Sequence, residues 1–474
     1  MAVGLLVVAG GVALQRELAR RPTASPANAA QASAPLSGAR YCPHGGGEGW
    51  RVWVVVANPS DASSEVRVMA RLGSSLPQVT PAIIEPRTYR YFEVPAGQMA
   101  AATTIEFFGE PVAAGMVATR PDGGLAAEPC AGNPDVRWHV PEASTLRGEE
   151  SYLVVHNPFA GEAVADVALL TGGQMLRPGR LQGVVLAPGE VRALPIHAFA
   201  LGEEALTATV TAPLGRVVVA GIGVSRGGVR SILGVHAPAR RWVLPGGGDP
   251  AGGTVVIASP GPRAPFHVTA TGEQGEQAVL DFESVDAQTA RAFDIVAPGA
   301  GVVVASQGKT PLIAGRRLLA EAAPPPPPKG TGGPGKPAQR GPGPKGKGSP
   351  PKEKEPPPPP PPGDLAGTRG SARSLPRSVA LPPVGPQGAP AILVLHNAGA
   401  EERSATVTFL GTAGPPPPPA DVVLLPGTTT VIPVPAGPPA AALVETQQGG
   451  LVAAQISTTP TSYAVSSAVP MPFG

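Results

Sequence analysis

The sequence predicts an all-β chain built from four tandem immunoglobulin-like β-sandwich modules. Three observations carry that expectation. A β-rich apolar run stops at a small turn four times, at Val54–Asp61 (VVVANPSD), Leu153–Ala160 (LVVHNPFA), Val255–Pro262 (VVIASPGP) and Leu393–Ala400 (LVLHNAGA). The turn residues recur 99 residues apart from Asn58 to Asn157, 102 from Asn157 to Ser259 and 138 from Ser259 to Asn397, the last interval holding a low-complexity insert. Between the turns, apolar and polar residues alternate with period two, punctuated by Gly, Pro, Asn and Asp. That is the signature of strands and hairpins, and no comparable stretch runs at helical spacing.

The first segment, residues 1–38, reads as an anchor or signal with its tether. Ala2–Leu14 is a 13-residue apolar run, expected as a short helix, followed by Arg16, Arg20 and Arg21. It is shorter than the roughly 20 residues of a spanning helix and has the length of a signal-peptide core. No basic stretch precedes it, and the arginines on its C-terminal side conflict with a simple export topology. An uncleaved transmembrane anchor, a cleaved signal and a start site that lost upstream residues all fit. The expectation is a membrane-anchored or secreted, extracytoplasmic chain.

Modules follow at 39–134, 135–239 and 240–322, then a disordered Pro-rich basic linker at 323–377 and a fourth module at 378–474. In each module the turn is followed by an alternating stretch, Glu65–Leu72 (EVRVMARL) in the first and Ser404–Leu410 (SATVTFL) in the last. Each closes with two apolar runs read as a hairpin: Thr104–Arg120, Ala208–Arg226, Val302–Arg316 and Ala442–Thr458. About seven short strands in 80–100 residues fit an immunoglobulin-like sandwich. Solenoid repeats are shorter and propeller blades run about 40–50 residues, so both fit less well. Val217–Val224 (VVVAGIGV) is apolar on both parities, as a strand covered on both faces would be.

The turn residues Asn58, Pro59, Asn157, Pro158, Ser259, Pro260 and Asn397 are read as structural. Proline fixes φ and cannot donate to a ladder, so the strand must end there. Asparagine bonds the backbone just ahead of it.

Composition separates one segment from the rest. The chain has 62 Gly and 63 Pro in 474 residues, enough to suggest disorder, yet 42% of it is hydrophobic and arranged in strands. Ala323–Gly363 holds two polyproline blocks, Pro324–Pro328 and Pro356–Pro362, around Lys329, Lys336, Lys345, Lys347, Lys352 and Lys354. With Arg340, Glu353 and Glu355 it carries +5, against +2 for the whole chain. Such a stretch buries no core and reads as an extended spacer. Its lysines are also candidates for contact with a polyanion such as an anionic cell-wall polymer. Recognition by a proline-binding groove is a third reading. No aromatic residue is interleaved with the lysines, which argues against nucleic acid.

Cys42 and Cys130 flank the first module and are expected to form a disulfide, as an even count in an exported chain suggests. Catalytic chemistry finds little support. The histidines His44, His139, His156, His197, His236, His267 and His396 stand singly, and no G-x-S-x-G or phosphate loop appears. The acidic pairs Glu149-Glu150, Glu203-Glu204 and Glu401-Glu402 are adjacent residues, which a strand points to opposite faces. Trp138 and Trp242 open modules two and three, with Trp50 and Trp53 near the start of module one. Packing is the expectation for these tryptophans and sugar stacking the alternative. No catalytic residue, metal or cofactor is expected.

The W-x-x-P openings at Trp138 and Trp242, the L-V-V-x-N-P strand end and the N-terminal apolar segment resemble an uncharacterised actinobacterial family of exported or membrane-anchored proteins (domain of unknown function 5719). The resemblance covers about residue 40 to the end, apart from the linker. Module four departs from it, opening with Ser378–Pro383 (SVALPP) and no tryptophan. What the resemblance implies is a cell-envelope setting and no catalytic residues. The expected role is a non-enzymatic scaffold, spacer or adhesin-like binder of another envelope component. An array of carbohydrate- or peptidoglycan-binding modules is the first alternative, and an enzyme whose site is not recognisable from sequence the second.

Overall fold

The computed structural model describes residues 36–225, 228–246, 253–295, 301–319, 364–369, 378–381, 390–411, 417–435, 440–447, 450–459, 462–467 and 469–470. Among these residues the chain is all-β, with two short 3-10 turns and no α-helix. The N-terminal apolar segment and the six linker lysines lie outside the described residues. None of the described residues forms a helix long and apolar enough to cross a membrane.

Module one comprises β1 (Leu36–Cys42), β2 (Arg51–Asn58), β3 (Ser64–Leu72), β4 (Gln78–Ile84), β5 (Thr88–Val94), β6 (Ala101–Gly109), β7 (Ala113–Thr119) and β8 (Leu125–Pro129). They form two sheets in the orders β1-β6-β3-β4 and β5-β2-β7-β8. Module two repeats the scheme with β9 (Arg137–Ala143), β10 (Glu150–His156), β11 (Ala163–Leu170), a split fourth position β12 (Met175–Leu176) and β13 (Val184–Leu186), β14 (Val191–Pro195), β15 (Leu206–Leu214), β16 (Val218–Ser225) and β17 (Gly228–Leu233).

Module three uses β18 (Arg241–Pro245), β19 (Gly253–Ser259), β20 (Ala264–Gly272), β21 (Gly275–Val285), β22 (Thr289–Ile295), β23 (Gly301–Ser306), β24 (Ile313–Leu319) and β25 (Asp364–Arg369). Module four uses β26 (Ser378–Leu381), β27 (Ala391–Asn397), β28 (Arg403–Leu410), β29 (Ala420–Leu424), β30 (Thr429–Pro433), β31 (Ala441–Glu445), β32 (Leu451–Thr459) and β33 (Ser462–Ser467), plus a short β34 (Val469–Pro470) beside β26. All four modules share one pairing order: first-sixth-third-fourth in one sheet and fifth-second-seventh-eighth in the other.

This order corrects two expectations. An immunoglobulin domain pairs its first and second strands in one sheet; here they lie in opposite sheets. The sixth and seventh strands, read as closing hairpins, also lie in opposite sheets, so Gly109-Glu110-Pro111 of module one turns a sandwich corner. Two apolar runs around a turn look alike in sequence whether they pair or cross between sheets. The true hairpins are third-fourth and seventh-eighth.

The third module corrects the linker. β25 lies inside the stretch assigned to it, yet it pairs antiparallel with β24 from Gly315↔Arg369 to Leu319↔Asp364. In modules one, two and four the eighth strand begins within six residues of the end of the seventh. The Pro/Lys segment therefore stands in the seventh-eighth hairpin of module three, its two ends joined by the ladder. It does not hold the fourth module at a distance.

Each module has its own apolar core, built for example from Val54, Val68, Ile105 and Met116 in module one and Trp138, Leu153, Val167 and Val210 in module two. Burying one such side chain is worth roughly 1.5–3 kcal/mol. Four further apolar joints pack sheets of neighbouring modules face to face. Ala102 and Met99 meet Val154, Val191 and Ile222 between modules one and two. Leu170 and Ala205 meet Val256, Ala258 and Ile313 between two and three. Val243 and Val303 meet Val452 between three and four. Leu410 and Ala441 meet Ala57 and Ala113 between four and one.

The circuit of joints closes. At its centre the eighth strands touch in the cycle β8, β17, β25, β33 and back to β8. β8 and β17 are buried along their whole length, while the outer β4 is mostly exposed. The described residues from 37 onward thus form a closed ring of eight sheets, packed as propeller blades are. A unit of about 100 residues supplies two blades of the usual 40–50 residues, but interleaved strands hide the shorter repeat. With both faces of every sheet covered, runs such as Val54–Ala57 and Val217–Ile222 are buried on both parities.

Candidate functional site

The turn residues are structural, and they do more than end a strand. Asn58 Nδ2 donates to Ala62 O (2.7 Å) and to Ile84 O (3.0 Å), while its Oδ1 accepts from Ser60 N. Asn157 repeats this with Gly161 O, Leu186 O, Ala187 O and Phe159 N, and Asn397 with Glu401 O, Leu424 O and Gly399 N. Each amide therefore pins the end of the second strand to the end of the fourth-strand position in the facing sheet. The Ser259 hydroxyl donates to Pro262 O and, among the described residues, makes no bond to the facing sheet. The prolines 59, 158 and 260 lie just beyond these strands, outside the ladders.

Cys42 and Cys130 form a disulfide, with 4.5 Å between α-carbons. It links the end of β1 to the residue after β8, the two inner edges of module one. Trp138 and Trp242 are 1% exposed and donate through Nε1 to Val217 O (2.7 Å) and Leu312 O (2.8 Å), which is a packing role. Trp50 and Trp53 are partly buried, with the Arg51 guanidinium over the Trp53 ring.

The histidines are not assembled into one site. His44 contacts Gly45 O and Thr103 Oγ1, His139 contacts Thr209 Oγ1, and His396 contacts Thr429 Oγ1. Burial pushes the His44, His139 and His396 imidazoles down to about 4 and that of His156 to about 3. The acidic pairs diverge. Glu149 meets Arg230, Glu150 accepts from the Tyr152 hydroxyl, and Glu203 accepts from Gly172 N. Among the described residues no group of three His, Cys, Asp or Glu could hold a metal ion.

Sequence reasoning missed a buried charge cluster where modules two and three meet. Arg230 on β17 lies 3.3 Å from Glu149 and 3.7 Å from Glu142. Glu142 is 2% exposed and adopts φ +71, a left-handed backbone uncommon outside glycine. Gly315 of β24 makes this approach possible, since a β-carbon there would come within 3.0 Å of the Pro141 and Glu142 side chains. Next to it Arg316 lies in the interior, where burial lowers its guanidinium to about 10. The available signal was the charge interrupting inner strands, in GVRSIL and IAGRRLL. The cavity beside Arg230 measures about 20 Å³, room for a single water and no substrate.

A second feature opens on the rim of module one. A groove of about 230 Å³ between β4 and β5 has Val68, Ala70, Phe92 and Val94 as its floor and Gln78, Thr80, Arg90 and Glu93 at its edge. The Arg90 guanidinium lies 5.0 Å from the Phe92 ring centre, and Arg51 grips Glu93 through two 3.0 Å bonds.

Residues 94–322 match the family of unknown function DUF5719. The match begins at the last residue of β5 and ends just beyond β24. It covers the sixth to eighth strands of module one, all of module two and module three as far as its seventh strand. It is narrower than the resemblance read from the sequence, which ran from about residue 40 to the end. No curated protein matches the chain. A crystal structure of a tetra-tandem repeat in the extending region of a large adhesion protein aligns over 87% of this chain and 92% of its own, at 8% identity and TM-score 0.10. A likeness at that score carries no argument about fold or function.

Proposed function

We propose that this chain is a non-enzymatic, extracytoplasmic binding scaffold of the cell envelope, held near the membrane by its N-terminal segment. The observation that carries the reading is the closed ring, stapled by Cys42–Cys130 and presenting its fourth and fifth strands outward. A disulfide suits an oxidising compartment. A ring whose polar clusters are buried and whose outer edges are open is suited to holding a partner rather than turning over a substrate. The partner is another envelope protein or an anionic cell-wall polymer reached by the Pro/Lys loop. Pull-down from envelope fractions with the full chain, and with residues 320–363 replaced by a short turn, tests this. Retention of the same partner by both chains assigns binding to the ring. Loss with the shortened chain assigns it to the loop, and no enriched partner with either chain overturns the proposal.

The rim groove favours carbohydrate binding as a second reading. An apolar floor with a polar edge suits the two faces of a sugar ring. Chemical-shift changes confined to Thr80, Arg90 and Phe92 on adding cell-wall saccharides would support that reading.

A further inference from the structure

Buried imidazoles are distributed unevenly over the four joints of the ring. At joint one-two, His156 faces module one, its ring 6.5 Å from that of Tyr41. His44 and Arg71 of module one act on it from the same side, while Glu190 and Arg192 of its own sheet pair with each other. At joint two-three, Trp138 of β9 points into the core of module two, so His139 points to the opposite face, the side packed against β19 and β24, with Arg137 of its own strand acting on it in the same direction as burial. At joint three-four, His396 bonds Thr429 Oγ1, which donates to Thr271 Oγ1 of module three at 2.8 Å. The Arg241–Glu276 ion pair of module three acts on the same ring.

Joint four-one differs. The position of His156 and His396, just before the turn residue of the second strand, is alanine in two joints: Ala258 in joint two-three, which has His139 instead, and Ala57 in joint four-one, packed on Leu410 and Ala441 with no imidazole beside it. Module four contributes His396 and module one His44, which lies toward His156, while His197 and His236 belong to module two and His267 to β20 of module three, so none of the seven histidines lies in this joint. It is also the one joint between modules that are not consecutive in the chain.

The imidazoles are placed to respond to acid. His139, His156 and His396 are each at most 4% exposed. Among the described residues, His156 Nδ1, His139 Nε2 and His396 Nε2 have no hydrogen-bond partner. A second proton on such a ring leaves a buried N–H with no acceptor at that nitrogen, a cost the folded joint must carry.

We propose that the ring is an acid-opened closure: protonation of His156 with His44, His139 and His396 loosens the three joints between consecutive modules, while the histidine-free clasp between modules four and one stays shut.

The sign follows from the direction of the shifts. Burial lowers these imidazoles in the folded chain, so their contribution is complete above the ordinary value of 6.5. It is lost as pH falls from 6.5 toward 4. With a folded value of about 4 against 6.5 when released, one such imidazole lowers the protection of its joint by up to on the order of 100-fold near pH 4.5.

Hydrogen exchange of the full chain at pH 7 and pH 4.5, corrected for the chemical exchange rate, tests this. Segments around His44, Val154–Asn157, His139 and Leu393–Asn397 should lose protection, while those around Ala57, Tyr89 and Leu410 keep theirs. In a His396→Gln chain, which retains a donor toward Thr429, joint three-four should stay protected at pH 4.5. Equal loss at joint four-one in the wild-type chain overturns the proposal whether or not the variant folds. So does an unchanged loss at joint three-four in His396→Gln.

Discussion

Leu319 and Asp364 face each other across the β24–β25 ladder, although the whole proline- and lysine-rich segment lies between them in sequence. That pairing makes the segment an insertion in a hairpin. In the other modules the same two strands are separated by only a few residues, Thr119 to Leu125 in module one, Ser225 to Gly228 in module two and Thr459 to Ser462 in module four. Replacing residues 320–363 by a two-residue turn should therefore leave the ring intact. Shortening the closed loop this much should stabilise β25 by roughly 2 kcal/mol, from the logarithmic dependence of closure entropy on length. Thermal melts of the two chains should show an equal or higher midpoint for the shortened one. A spacer between separate modules predicts instead that module four loses its docking on modules three and one.

The turn asparagines should dominate the stability of their modules. Asn157 is 1% exposed, and its amide donates to three carbonyls, of Gly161 in the loop before β11 and of Leu186 and Ala187 at the end of β13. Asn157→Ala leaves those buried carbonyls short of a donor, a cost of roughly 2–4 kcal/mol. The Ser259 hydroxyl makes a single bond, to Pro262 O, so Ser259→Ala should cost about 1 kcal/mol. Urea unfolding of the two variants measures the difference. Equal costs would mean that the amide acts only as a local turn former.

The repeat that exposed these asparagines was legible because each must sit at the end of a buried strand, where a chemical need meets a fixed spacing. Strand identity was legible for the same reason: Val54–Val56 and Leu153–Val155 are apolar on both faces. Ring closure was not. Ala57 reads as a small core residue until Leu410, more than 300 positions away, is seen packed on it. Which sheet a strand enters was also hidden, since Gly109 and Pro111 suit a hairpin and a sandwich corner alike. Glu142 and Arg230 lacked any spacing signal, because their pairing depends on β9 and β17 meeting at the hub.

Reduction should loosen the hub side of module one. Cys42–Cys130 closes a loop of 88 residues, for which chain entropy gives roughly 4 kcal/mol, often less in practice. Tyr41 and Ala131, bonded to each other at 2.9 and 2.8 Å beside the bridge, would have to hold the two edges alone. A reductant, or Cys42→Ser with Cys130→Ser, should lower the melting midpoint and raise exchange first in β1 and β8. Identical melts with and without reductant would show that the ring contacts alone fix these edges.

The clasp between modules four and one offers the sharpest test of ring closure. Gly411 has φ +70, and a β-carbon there would overlap the Tyr89 ring of module one. Gly411→Ala therefore incurs two costs: a left-handed backbone unfavourable for alanine, about 1–2 kcal/mol, and displacement of Tyr89 from the joint. The first cost stays within module four and would arise in an open string of modules too. The second exists only if modules four and one touch. In a double-mutant cycle, Tyr89→Ala should relieve part of the Gly411→Ala penalty, leaving a coupling of about 1 kcal/mol or more, as contacting residues do. Strict additivity of the two substitutions in thermal or urea unfolding would mean that the ring is open in solution.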